Sequence, residues 1–210
     1  MSLDCIKDID NYALTGCTSI YNEDGLTGQQ LLITCAKRVK ECINVCEVLH
    51  TNNYEVVETT KKYNSNSEEL VIGLNKIFGA KAYVNRFFFL FKENAKSPIE
   101  LAGTINGAIN ECLDVLASTT KLLSNHSDSK VQEDVKVLTS LITGAYVDIF
   151  DDCAMTLLEL AGITARHVND LVSAVNSLEL ITNNIINVYN GDSEEYSTIF
   201  TGAEDEILII

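Results

Sequence analysis

Ser97-Pro98-Ile99-Glu100 is the stretch on which the fold turns. A serine at this point can accept a hydrogen bond from a free amide of an incoming helix. Proline suits the first helical position because its missing N–H would have no partner there, and the glutamate three residues after the serine completes the cap. The residues beyond this cap keep a helical beat. Ala102, Ile105, Ile109, Cys112, Leu116 and Leu123 recur in steps of three, four and seven, the period of one buried helix face.

The same beat extends in both directions. Upstream, Asn64-Ser65-Asn66 reads as a turn, and Ser67 with Glu68 and Glu69 reads as a cap with an acidic first turn. The helix it opens has a seam of Leu70, Leu74, Ile77, Val84, Phe88 and Phe91, interrupted by Lys81. Before it, a helix starting near Thr27 carries Leu32, Cys35, Val39, Cys42, Cys46 and Leu49. That pattern weakens at Thr51-Asn52-Asn53, where a kink or break is expected, and resumes with Val56 and Tyr63. Downstream, Ser124 to Ser129 forms a polar loop, and Val131, Val135, Leu138, Ile142, Ala145 and Ile149 start the next helix, continuing towards Leu160. Periodicity runs on through Val168, Leu171, Val175, Leu178 and Ile185, but a single helix to Tyr189 would be about 90 Å long. The break is therefore expected at Ala161-Gly162 with Thr164 as the next cap, and the last helix stops at Asn190-Gly191.

These segments predict an all-α fold, an antiparallel bundle of about five long amphipathic helices, with the softer boundaries leaving room for four or six. The bundle domain spans 27–190. A short amphipathic stretch (Leu3, Ile6, Ile9, Ala13) and a polar link ending in Gly25 occupy 1–26, and an acidic tail with an apolar end occupies 191–210.

Charge narrows the class of partner. The 210 residues carry a net charge of −15, distributed unevenly: 11 Lys+Arg against 13 Asp+Glu in residues 1–100, and 4 against 17 in residues 101–210. Such a surface repels phosphate backbones and anionic lipid headgroups, so neither nucleic acid nor a membrane surface is expected, and a basic protein partner is. Seven cysteines, without disulfide-type spacing and without a secretory leader ahead of them, point to free thiols in a reducing, cytoplasmic setting. The longest apolar run, Phe87 to Phe91, is far shorter than a membrane span.

Chemistry-bearing groups are sparse. Cys42, Cys46 and His50 lie at i, i+4 and i+8, a stripe of two thiols and an imidazole that could ligate zinc if another helix supplied a fourth group. Cysteine also substitutes freely for small apolar residues in a seam, and a reduced core stripe is the plainer reading. Glu47-x-x-His50 is half of a di-iron ligand set, but the chain holds no second copy. No phosphate-binding glycine loop and no nucleophile–base pair stands out, so no catalytic residue and no cofactor is expected.

Candidate contact residues come from three places. Arg86-Phe87-Phe88-Phe89-Leu90-Phe91-Lys92 puts apolar groups around the whole helix, which marks either the central helix of the bundle or a docking patch carried by Phe87, Phe88, Phe89 and Phe91. Asp148 and Asp152 share a helix face in an acidic cluster. The tail ends in Glu204-Asp205-Glu206-Ile207-Leu208-Ile209-Ile210, where Glu204, Leu208 and Ile210 fit short acidic-dileucine or carboxyl-terminal peptide motifs. Small residues at Gly103 and Gly107 would let a neighbouring helix approach closely, within the bundle or across a homo-oligomer. The expected function is a non-enzymatic interaction or scaffold module presenting an acidic surface to a protein. A membrane-active, pore-forming bundle using Phe87–Phe91 is the alternative, and a metal- or cofactor-binding bundle is the third reading.

Overall fold

The computed structural model describes residues 17, 19–20, 26–60, 67–93, 97–147 and 156–191. Five helices account for nearly all of them: α1 (Gly28–Thr60), α2 (Ser67–Lys92), α3 (Pro98–Leu123), α4 (Ser129–Ala145) and α5 (Leu157–Gly191). No strand occurs among the described residues. The capping chemistry read at Ser97 is present. Its side chain accepts from the amide of Glu100 at 3.3 Å, with Pro98 in the first turn.

Two other helices open with a reciprocal cap. Thr27 Oγ1 accepts from the Gln30 amide while Gln30 Oε1 accepts from the Thr27 amide. Thr156 and Glu159 repeat the exchange at the head of α5, which holds the Glu159 carboxyl below its ordinary pKa. That second cap corrects the expected boundary. Helix α4 ends at Ala145, α5 begins at Leu157, and α5 runs unbroken through Ala161 and Gly162. Thr164 sits inside the helix with its hydroxyl bonded back to the Leu160 carbonyl. The break expected near Asn52 is absent too. Asn53 is fully buried, its amide donates to Leu49 O and to Thr182 Oγ1 of α5, both at 2.8 Å, and α1 continues to Thr60.

Successive helices run antiparallel. Along α2 and α3 the ion pairs Lys121–Glu69, Lys76–Asp114 and Arg86–Glu100 fall in reversed order. Up-down-up-down-up connectivity then makes α1, α3 and α5 mutually parallel. Gly28 packs on Leu157 and Asn53 bonds Thr182, the same offset of 129 residues at both ends of the α1–α5 contact.

The central helix is α3, not α2. It touches all four others, and sixteen of its 26 residues are buried. Helix α2 lies on the flank, packed on α3 and, less extensively, on α1. At Gly107 α2 packs close, since a Cβ there would lie 2.7 Å from the Tyr83 ring. Gly103 has open space in front of it. The segment around Cys17 and Ile20 is strapped onto α5. Asn169 exchanges two hydrogen bonds with the Ile20 backbone (2.7 and 2.9 Å), and Asn176 donates to the Cys17 carbonyl at 2.9 Å.

Candidate functional site

Helix α2 separates its apolar residues into two stripes. Ile77, Ala80, Val84, Phe87 and Leu90 are buried, while Phe88 and Phe91 are half-buried. Phe87 is the anchor: its ring meets Phe88 edge-on at 5.3 Å and stacks on Phe91 at 6.1 Å. The seam therefore lies one position from the expected Phe88–Phe91 line, and the aromatic run is divided between core and surface. Phe89 is the member that faces out, 63% exposed.

Phe89 is not isolated. Phe78 is 67% exposed and Val71 54%. Eighteen residues separate Val71 from Phe89, about five turns, so the two side chains project in the same direction, with Phe78 between them. The full outward line is Glu68, Val71, Asn75, Phe78, Ala82, Asn85, Phe89 and Lys92, all exposed and spaced alternately by three and four. Phe89 stands out in the sequence as part of an aromatic run, whereas Val71 and Phe78 do not, because periodicity shows that a stripe exists and burial alone shows which stripe faces water.

The flanks of α2 are fixed by charge. Lys76 reaches Asp114 at 2.9 Å and Glu111 at 3.4 Å, and the Asp114 hydrogen bond leads in raising its pKa. Lys81 pairs with Glu47 of α1 at 2.6 Å, which turns Glu47 away from any inward-facing ligand set. These contacts hold α2 to its neighbours and leave the outward line free of them.

Cys42, Cys46 and His50 do not converge. The Cys42 thiol hydrogen-bonds Cys17 of the strap, and the Cys46 thiol hydrogen-bonds Cys112 of α3. The partner thiol first, then burial, pushes both well above the ordinary range. Burial takes Cys35 to about 12, whereas Cys17 is lowered, chiefly by the hydrogen bond from Cys42. The five described cysteines are free and buried. No group of three or more His, Cys, Asp or Glu among the described residues is placed to hold a metal ion. Expected result: Asn169→Ala with Asn176→Ala loosens the strap and speeds alkylation of Cys17, mapped by mass spectrometry, while Cys46 labelling stays unchanged. Equal Cys17 rates in variant and wild type would dismiss these asparagines as its clamp.

His50 is fully buried where three helices meet. Its Nδ1 lies 2.6 Å from Thr119 Oγ1 and its Nε2 lies 3.2 Å from Leu70 O. A carbonyl only accepts, so Nε2 carries a proton. Nδ1 can accept the Thr119 hydroxyl proton or, in the cation, donate to that oxygen while the hydroxyl turns to Val115 O at 2.9 Å. Hydrogen bonding accommodates either state, and burial decides in favour of the neutral ring. It outweighs the Leu70 and Glu69 backbone bonds and the Glu69 charge, lowering the pKa below 6.5.

Below pH 6.5 the unfolded chain therefore binds a proton that the buried ring refuses. Stability present above that pH is lost as pH falls through the folded-state value, then levels off. His126 and His167, lowered mainly by burial, act in the same sense. Glu179, raised above 4.5 by burial, acts oppositely at lower pH. Going from about pH 7.5 to about pH 5 should lower the urea midpoint of the wild type, and His50→Gln should shrink that drop. An undiminished drop in the variant would clear His50 of the effect.

The remaining candidates, Asp148, Asp152, Glu204, Leu208 and Ile210, lie outside the described residues, as does the stretch from Leu3 to Ala13. The acidic surplus is concentrated there. Segments 148–155 and 192–210 hold nine acids and no lysine or arginine, whereas 101–147 and 156–191 carry 8 Asp+Glu against 4 Lys+Arg. Among the described residues, no helix is long and apolar enough to cross a membrane. The chain matches no protein-family profile, no curated protein and no solved structure.

Proposed function

We propose that this chain is a non-enzymatic interaction module, a helical bundle that acts by docking to protein surfaces. One observation carries the reading: Val71, Phe78 and Phe89 project side by side from α2, more than half exposed, on a helix whose opposite face is anchored in the core. Water-facing apolar groups in register are a contact surface for a partner helix with the same spacing. The acid-rich segments add a preference for basic residues in whatever protein is bound. The five described thiols and His50 support the non-enzymatic part of the proposal, because each is buried and His50 is engaged in structural hydrogen bonds. Free thiols fit a reducing compartment.

The test is affinity purification from lysate with wild type and Phe78→Ser/Phe89→Ser, at low and high salt. The proposal expects a defined set of proteins lost from the variant, with a salt-sensitive fraction reflecting the acids. Identical sets from both proteins, alongside a tightly held small molecule, would defeat it.

A further inference from the structure

We infer that the outward face of α2 pairs with the same face of a second copy of this chain, antiparallel, about a two-fold axis at the level of residue 80. The inference rests on the reading of α2 as a docking face and specifies its occupant. That face is self-complementary. If two copies of the line Glu68, Val71, Asn75, Phe78, Ala82, Asn85, Phe89 and Lys92 are laid head to tail, every member meets a suitable partner in one register. Glu68 faces the other copy's Lys92, and Val71 faces its Phe89. Asn75 faces its Asn85, and Phe78 faces its Ala82. The two-fold axis repeats each contact, giving eight layers: four apolar, two amide–amide and two ion pairs.

Each layer type has a physical role. The alternating spacing of three and four keeps the line on a straight seam between two gently supercoiled helices. Phe78 against Ala82 sets a large side chain opposite a small one, so the helices can close without a void. Paired asparagines satisfy each other's amides across the seam and penalise registers that would set them against phenylalanine. Opposite charges close both ends.

A parallel pair in register has none of these merits. It sets Glu68 on Glu68, Lys92 on Lys92 and Phe78 on Phe78, with Ala82 facing Ala82 across a gap. The sides of the antiparallel seam are also compatible. Leu74 and Phe88, both half-buried at the edge, come together from opposite copies. Near the axis Gly79 removes bulk on one side, and Lys81 arrives on the other already neutralised by Glu47. Val71, Phe78 and Phe89 are all exposed in the single chain, as a surface awaiting a partner would be. The contact covers about 36 Å of helix. With only four apolar layers it belongs among small interfaces, so the dimer forms at micromolar rather than nanomolar concentration.

The experiment uses the full chain. Light scattering across a concentration series should show the mass rising from 23.1 kDa to twice that value. Phe78→Glu should remain at the single-chain mass throughout, with its helical circular dichroism and melting temperature unchanged. Asn75→Cys combined with Asn85→Cys should give a disulfide-linked dimer under mild oxidation, and either change alone should give little. Asn75→Cys cross-linking efficiently by itself would mean parallel pairing and overturn the register. A wild type that stays at 23.1 kDa at every concentration overturns the homodimer. In that case, proteins still lost from Phe78→Ser/Phe89→Ser in the lysate experiment would leave the docking face standing with a different occupant. No such loss would bring down both.

Discussion

Phe87→Ala is expected to cost about 3–5 kcal/mol of folding stability, and Phe89→Ala, two residues away, less than about 0.5 kcal/mol. Both sit in the same aromatic run, yet their surroundings are opposite. Phe87 is fully buried, with Phe88 edge-on to its ring and Phe91 stacked on it. Removing it leaves a ring-sized cavity in the α2 anchor and strips packing from two more aromatics. Phe89 is 63% exposed, so truncation returns little surface to water. The loss at Phe87 is a large fraction of the total stability of an ordinary domain, about 5–15 kcal/mol. Urea denaturation followed by circular dichroism measures both. Comparable losses at the two positions would contradict the division of this run into core and surface.

That division also marks how far the sequence could be read. Five helices and the Ser97 cap were legible because each rests on local chemistry: a periodic apolar face, and a side-chain oxygen at an N-terminus. Where the reading failed, distant contacts decided. Asn52-Asn53 looks like a break, but Asn53 finds Thr182 across the α1–α5 contact and the helix runs on. Apolar residues around the whole of Phe87–Phe91 suggested a central helix, yet the small and polar positions of α3 are buried almost all round, and α3 holds the centre. The start of α5 also carries a local signal. Thr156-Leu157-Leu158-Glu159 has the Ser/Thr-x-x-Glu form of a capping box, and reading it would have started α5 at the right place. The outward stripe was harder to find, since Val71 and Phe78 differ from core residues only in which way the helix is turned.

Gly73→Ala tests the point where α1, α2 and α3 meet. An alanine in a helix interior ordinarily gains about 0.5–1 kcal/mol over glycine. Here the added Cβ would lie 2.1 Å from His50 Nε2 and 2.4 Å from Cε1, so the ring must move. Moving it breaks the contacts with Leu70 O and Thr119 Oγ1 inside a fully buried site. Overpacking and unmet polar groups each cost about 1–3 kcal/mol, so the net loss should be about 3 kcal/mol despite the better helix former. The cause is separable from the effect. In a His50→Ala background the methyl group enters space the ring has vacated, so Gly73→Ala should become neutral or stabilising by about 0.5–1 kcal/mol. The two changes should then show a coupling above about 2 kcal/mol in a double-mutant cycle. The same background removes the His50 share of the acid-induced loss, so the urea midpoint should depend less on pH with or without the alanine at position 73. A Gly73→Ala penalty of equal size with and without the His50 ring would mean that something other than this contact sets the spacing of α1 and α2.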